Sequence, residues 1–313
     1  MTDRKILVIG SVNVDHVLNV EELPRAGETS AGSNYRVVAG GKGANQAVAC
    51  ARLGGDTQFL ACVGDDPEGH EAIAALSGDG MDTSAVKVSP GCRTGVALIF
   101  VNDQGENCIG ISAEANTQLT TEMVRSNQQA ISSADYLLMQ LEVPLDSITL
   151  AAEIARDACT QVILNPAPAT KLLPDQLLRC IDIITPNQTE AEILTGVRVN
   201  SEGDAARAAE LLHLHGIGIV IITMGRSGAY VSDQSGKHMM SGYRVTAVDT
   251  TAAGDTFNGA LVAALAEGRE LEEAVNFANA AAAMSVTKGG AQASIPLRKE
   301  LTQWLLDHTA TKA

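Results

Sequence analysis

The feature that most constrains this chain is its alternation of short apolar runs with amphipathic helical segments. Runs that read as buried strands fall at residues 6–9, 59–63, 136–141, 162–164, 181–184 and 219–223. Helical patterns fall at 44–53, 68–76, 121–131, 147–156, 189–194, 203–215, 254–267, 271–284 and 298–308. Strands this short and apolar are covered on both faces, and the helices between them are the crossovers that parallel neighbours require. The expected fold class is α/β: a three-layer core with a mostly parallel central sheet flanked by helices, in a single domain over residues 1–313.

Two regions break the rhythm. Residues from about 11 to 39 lack a helical pattern, and 94–112 reads as a hairpin turning at Asn102-Asp103-Gln104-Gly105. Together they predict a small β-sheet lid on the core. A strand through 12–20 puts Val12, Val14, His16, Leu18 and Val20 on one face, and Asn13, Asp15, Val17 and Asn19 on the other. Asn13 and Asp15 then point together, while the apolar face has no helix in sequence to cover it. A second copy of the lid is the natural cover, which predicts a homodimer.

The formal net charge of -15 excludes nucleic acid and anionic membrane as partners, since both would be repelled. The apolar run after Met1-Thr2-Asp3-Arg4-Lys5 is too short for a signal peptide, and no segment reaches ~18 continuous apolar residues. The six cysteines show no paired metal-ligand spacing and read as free thiols of a reducing compartment, so a cytoplasmic location is expected. His213 and His215 carry no assigned function.

The chemistry concentrates in glycine-rich or polar segments beside the expected strand ends and helix starts. In Asp249-Thr250-Thr251-Ala252-Ala253-Gly254-Asp255-Thr256-Phe257, a turn of small residues leads into a helix whose buried stripe is Phe257, Ala260, Leu261, Ala264 and Leu265. Asp255 lies in the first turn, off that stripe. The N–H groups of Ala252 to Asp255 lack intrahelical acceptors and sit at the positive end of the helix, so the turn can hold a phosphate. Asp in a first turn is also stabilising without any chemistry. Gly40-Gly41-Lys42-Gly43-Ala44-Asn45-Gln46-Ala47 opens another helix and lets a ligand approach the backbone, but it fits neither a Walker A loop nor a dinucleotide fingerprint. Asn187-Gln188-Thr189-Glu190 has the spacing of a helix capping box, a role compatible with a second one. Glu142 and the segment 223–228 follow strands in the same way, and ligands of open parallel sheets gather beyond the carboxyl ends of the strands.

The glycine-rich segment near residue 40, the Asn-x-x-Glu at 187–190 and the Asp-Thr-Thr-Ala-Ala-Gly-Asp at 249–255 stand in one order over essentially the whole chain, and in this the chain resembles the ribokinase-like sugar kinase family. The resemblance implies ATP-dependent phosphorylation of D-ribose at its 5-hydroxyl. It makes Asp255 the general base and Ala252, Ala253 and Gly254 the anion hole. It assigns the sugar to Asn13, Asp15, Gly41, Lys42, Asn45, Glu142 and Asp255. It assigns the nucleotide to Asn187, Thr223, Gly225, Ser227, Gly228, Gly254 and Asn279, the last standing where many relatives carry His. Mg²⁺ would be positioned by Asn187 and Glu190, mainly through water. A monovalent cation, usually K⁺, would be held by Asp249, Thr251, Ser285, Lys288, Gly290 and Ser294, largely through backbone oxygens. Related kinases act on deoxyribose, fructose or adenosine; four Phe, four Tyr and one Trp leave little to stack on a nucleoside. A nucleotide-linked oxidoreductase would need the glycine fingerprint that Ile9-Gly10-Ser11-Val12-Asn13 lacks. A non-catalytic sugar or nucleotide sensor would bind without releasing ADP.

Overall fold

The computed structural model describes residues 4–309, so residues 1–3 and 310–313 of the expected 1–313 domain lie outside it. The strands are β1 (Lys5–Ile9), β2 (Asn13–Val20), β3 (Gly32–Gly40), β4 (Asp56–Gly64), β5 (Val86–Ser89), β6 (Gly95–Val101), β7 (Asn107–Ser112), β8 (Tyr136–Met139), β9 (Gln161–Leu164), β10 (Ile183–Ile184), β11 (Ile219–Thr223), β12 (Gly228–Ser232) and β13 (Lys237–Ser241). Nine of them form one sheet in the order β13-β12-β11-β10-β9-β8-β1-β4-β5. Its strands run parallel from β11 to β5, and β12 and β13 add an antiparallel edge. The other four form a separate sheet in the order β3-β2-β6-β7.

Side-chain alternation along β1 shows why both faces need helices. Ile6 and Val8 join a core with the helices Lys42–Arg52, Ala253–Ala266, Leu271–Ser285 and Arg298–Thr309, while Leu7 and Ile9 join one with Leu145–Asp157 and Glu202–His213. The three-layer α/β expectation is thus met.

One contact between helices positions the chemistry. At Gly259 a Cβ would lie 2.4 Å from Ala49 Cβ and 2.6 Å from the Gln46 carbonyl oxygen, so only glycine lets the Ala253–Ala266 helix come this close to Lys42–Arg52. That approach brings two segments some 210 residues apart in sequence to one point.

The expected elements differ at several points, among them the unexpected strand β5, the short helix Asp175–Leu178 and a strand that ends at Met139 rather than 141. The helix at 121–131 is two short ones, Thr121–Ser126 and Gln128–Ser133, broken at Asn127, whose side chain donates to the Met123 carbonyl and competes with the helical ladder. The strand at 181–184 is reduced to Ile183–Ile184. The hairpin β12–β13 carries no sequence signal strong enough to have been expected. Finally, Val12, Val14 and Val20 are buried within the chain. On the face they share with His16, the exposed apolar groups are Tyr35, Val37 and Leu98, while Ile109 and Ile111 are exposed on the opposite face.

Candidate active site

Asp255 sits in the first turn of Ala253–Ala266, and the residue before that helix, Ala252, is in the left-handed region at φ 58°. A non-glycine residue there is strained, and such strain is characteristic of ligand-binding turns. The Ala253 N–H bonds the Thr250 carbonyl at 3.2 Å, so that amide is used within the turn. Gly254 and Asp255 have no intrahelical acceptor by position and carry the positive end of the helix.

The Asp255 carboxylate is gripped from the facing helix. Asn45 Nδ2 donates to Oδ2 at 2.9 Å, and Gln46 Nε2 donates to Oδ1 at 2.9 Å. Gln46 also donates to Asn165 Oδ1 at 2.9 Å and accepts from Gln140 Nε2 at 2.7 Å, and Asn165 in turn donates to the Thr185 carbonyl. Asn45 Oδ1 is buried with no donor, as an atom meant for a hydroxyl would be.

Around this carboxylate stand the other polar residues of the two N-terminal motifs. Asn13 and Asp15 are buried on β2. Asn116 fixes the first of them, donating Nδ2 to Asn13 Oδ1 at 2.8 Å and accepting from the Val12 N–H. Gly40 faces Asp15 so closely that a Cβ would lie 2.2 Å from its Oδ2. Gly41, at φ +90°, turns the chain from β3 into the Lys42–Arg52 helix. Glu142 Oε2 accepts from Ser11 Oγ at 2.6 Å and from the Lys42 N–H at 3.0 Å, tying two motifs together.

Crowded carboxylates set the electrostatics. Burial, with Glu142 and Asp255 adding repulsion and Lys42 opposing, pushes Asp15 up to about 6. Burial alone would lower Lys42, but Asp255, Glu142, Glu190 and Asp15 outweigh it and hold the ammonium above its ordinary range. Burial also raises Glu190, against its bond from the Asn187 N–H and the charge of Lys42. Lys42 is thus a fixed cation among four acids, and a neutral polyhydroxyl ligand can bridge them without adding charge.

Asn187 and Glu190 form the expected capping box: Asn187 Oδ1 accepts from the Glu190 N–H, and Glu190 Oε2 accepts from the Asn187 N–H, each at 2.8 Å. The cap leaves Asn187 Nδ2 and Glu190 Oε1 for other partners. Both residues line a small cavity with Lys42, Thr185, Thr223, Asp255 and Asn258. Beyond it opens a cleft of about 680 Å³ lined by Thr223, Gly225, Ser227, Gly228, Gly254 and Asn279. Arg226, Arg244 and Phe257 line the same cleft. Asn279 donates Nδ2 to the Met240 carbonyl at 3.4 Å.

Asp249 stitches the turn to the loop after Leu271–Ser285. One oxygen accepts from Thr251 N–H and Oγ1 at 2.9 and 2.6 Å, the other from the Gly290 N–H at 2.9 Å. Burial opposes these bonds, but together with Arg36 they hold Asp249 below its usual range. Ser285 and Ser294 hydroxyls donate to carbonyls of their own turns, and Lys288 pairs with Glu300. The Asp249 carboxylate is thus held ionised, as the anionic partner of a hard cation would have to be. Among the described residues, no cluster of three or more His, Cys, Asp or Glu could hold a metal ion.

Gln46, Gln140, Asn165 and Asn116 were not among the residues expected at this site. Gln140 and Asn165 end the apolar runs of β8 and β9, so the strand-end rule that selects Glu142 applies to them equally.

The model for the pfkB family of carbohydrate kinases matches residues 3–298. A ribokinase from Haemophilus influenzae is 48% identical over 302 residues, covering 96% of this chain and 98% of that protein. A ribokinase from Staphylococcus aureus is 42% identical, covering 96% and 99%. The structure of an Arabidopsis thaliana ribokinase complexed with ribose and ATP superposes with a TM-score of 0.89 at 33% identity, covering 96% of this chain and 98% of that one.

Proposed function

The chain belongs to the pfkB family of carbohydrate kinases, and we propose that it transfers the γ-phosphoryl group of ATP to the 5-hydroxyl of D-ribose. The observation that carries this reading is the meeting at Asp255 of a polyol-binding cluster and a phosphate-binding turn. Asp255 takes the proton of the attacking hydroxyl, the new O–P bond forms at the γ-phosphorus, and the bond to the bridging oxygen breaks to release ADP. Positioned proton removal is worth ~10²–10⁴-fold, and alignment of the two substrates contributes further.

Asn13, Asp15, Gly41, Lys42, Asn45 and Glu142 hold the sugar. Asp15 and Glu142 supply acceptors, Lys42 a donor, and the amides of Asn13 and Asn45 both kinds, as the hydroxyls of a pentose require. The sugar-side face of the second sheet, which carries Asp15, also carries Ala97, Ile99, Ile109 and Ile111 and no aromatic ring; this favours a small sugar over a nucleoside. The nucleotide occupies the 680 Å³ cleft, with Thr223, Gly225, Ser227, Gly228, Gly254 and Asn279 along it and Asn187 in the small cavity next to it. ATP would arrive as its Mg²⁺ complex, toward which Glu190 Oε1 offers an acceptor for a metal-bound water and Asn187 Nδ2 a donor for a phosphate oxygen. The oxygens of Asp249, Thr251, Ser285, Lys288, Gly290 and Ser294 would hold a monovalent cation. Such an ion supplies positive charge behind the Ala252–Gly254 turn.

The second sheet acts as the lid, over about 11–39 and 94–112. Its exposed Tyr35, Val37 and Leu98 form the contact through which two copies pair as a homodimer. Among the described residues no helix is long and apolar enough to cross a membrane.

Phosphorus NMR of the product tests the reading. A phosphomonoester on the C5 hydroxyl supports it, and phosphate on C1, or ADP formed without any sugar phosphate, contradicts it.

A further inference from the structure

We propose that Gln140 is a positioning residue for phosphoryl transfer, acting on the base Asp255 through the amide of Gln46. This rests on the reading of Asp255 as the base. A side-chain amide has a donor end and an acceptor end of nearly the same shape, so packing cannot choose between its two orientations and hydrogen bonds must. Gln46 is fully buried. Its Oε1 takes the Gln140 donor at 2.7 Å, which leaves Nε2 to serve Asp255 Oδ1 and Asn165 Oδ1, each at 2.9 Å. Reversed, Gln46 would set its oxygen against the Asp255 carboxylate.

The far end of the chain admits the same single polarity. Asn165 gives its Nδ2 to the Thr185 carbonyl at 3.0 Å, and a carbonyl cannot become a donor, so Asn165 must present oxygen to Gln46. Gln140 therefore donates into a network whose other end is fixed by backbone. It does so at a cost: Gln140 is fully buried and its Oε1 has no hydrogen-bond partner. The amide fits only because residue 10 is glycine, where a Cβ would lie 2.1 Å from that oxygen. For packing alone, a methionine would fill the position without an unpaired acceptor. What methionine lacks is the donor to Gln46.

Gln140→Met removes that donor at nearly constant volume, and Gln140→Glu replaces it with an acceptor that drives Gln46 to reverse. With ribose and MgATP, Gln140→Met is expected to lower kcat by ~10-fold and Gln140→Glu by ~100-fold or more. The KM values for ribose and ATP should stay within about threefold, because residue 140 is fully buried beneath the site. An unchanged kcat in a folded Gln140→Met, or a fall in kcat matched by a rise in KM for ribose, overturns the proposal. So does a Gln140→Met chain that fails to fold, because the site would then need the amide for packing rather than for its donor. Asp255→Asn measured alongside separates the two readings. If it stays active, the base assignment has failed; if it is inactive while Gln140→Met is normal, only the role of Gln140 has.

Discussion

Asn45 Nδ2 and Asp255 Oδ2 are joined by a 2.9 Å hydrogen bond across 210 positions of the chain. Asn45 belongs to the helix that starts at the Gly40–Gly43 segment, and Asp255 to the helix that starts at the small-residue turn. Their bond exists because Gly259 lets those helices touch. One bond therefore ties the sugar cluster to the phosphate turn, and the position of the base depends on both.

Asp255→Asn keeps the shape of the side chain and removes its basicity. The variant should fold with an unchanged circular dichroism spectrum and bind ribose by calorimetry within a few-fold of the parent. Its kcat should drop by ~10²–10⁴-fold. An equal fall in ribose affinity would place Asp255 in binding rather than in proton transfer.

Asp15 is raised to about 6 from an ordinary 3.8, so the folded state holds its proton more tightly than the unfolded chain. Ionised Asp15 then costs stability above pH 6, and that cost disappears as pH falls through the window from 6 to 3.8. Asp15→Asn should therefore stabilise the ligand-free protein at pH 7.5, by up to about 3 kcal/mol, with the gain vanishing below pH 4. The same ionisation gives function the opposite sign. Below pH 6 the protonated carboxyl is a weaker acceptor for sugar hydroxyls, and KM for ribose should rise. Thermal melts and initial rates across pH 5–8 read both effects.

Asp249 joins the turn before Asp255 to the loop at Gly290, and its carboxylate is the one formal charge proposed for the monovalent cation. Asp249→Asn should lose most of the rate difference between potassium and sodium buffers. A variant that responds to potassium as the parent does would remove Asp249 from the cation site.

Leu98 is 55% exposed at the centre of the uncovered face of the second sheet. Leu98→Asp should convert a dimeric mass to a monomeric one by light scattering at micromolar concentration, since an unpaired carboxylate would be buried at the contact. A parent protein that is already monomeric would sink the dimer reading.

The legible parts of this molecule are those in which a local pattern has one physical meaning. The run 6–9 is apolar on both faces and becomes β1 between two strands; the stripe Phe257–Leu265 becomes a helix with Asp255 left in its first turn. The Asn187–Glu190 capping box forms as its spacing dictates. What sequence leaves open is how distant polar groups are shared. Gln140 and Asn165 look like the ends of apolar runs, and nothing local says that both bond to Gln46. Asn116 holds Asn13 from 103 positions away. Nor does alternation along 12–20 tell which face is covered: Val12, Val14 and Val20 are buried by the chain itself, and exposure on that face falls on Tyr35, Val37 and Leu98.

The most direct test of the account is ADP release from MgATP with ribose, 2-deoxyribose, fructose and adenosine as acceptors, each in potassium and in sodium buffer. The account predicts that ribose gives the highest kcat/KM and that potassium raises the rate. A preference for another acceptor would contradict the reading of Asn13, Asp15, Lys42, Asn45 and Glu142 as a ribose pocket. Sugar binding without ADP release from any of them would contradict phosphoryl transfer itself.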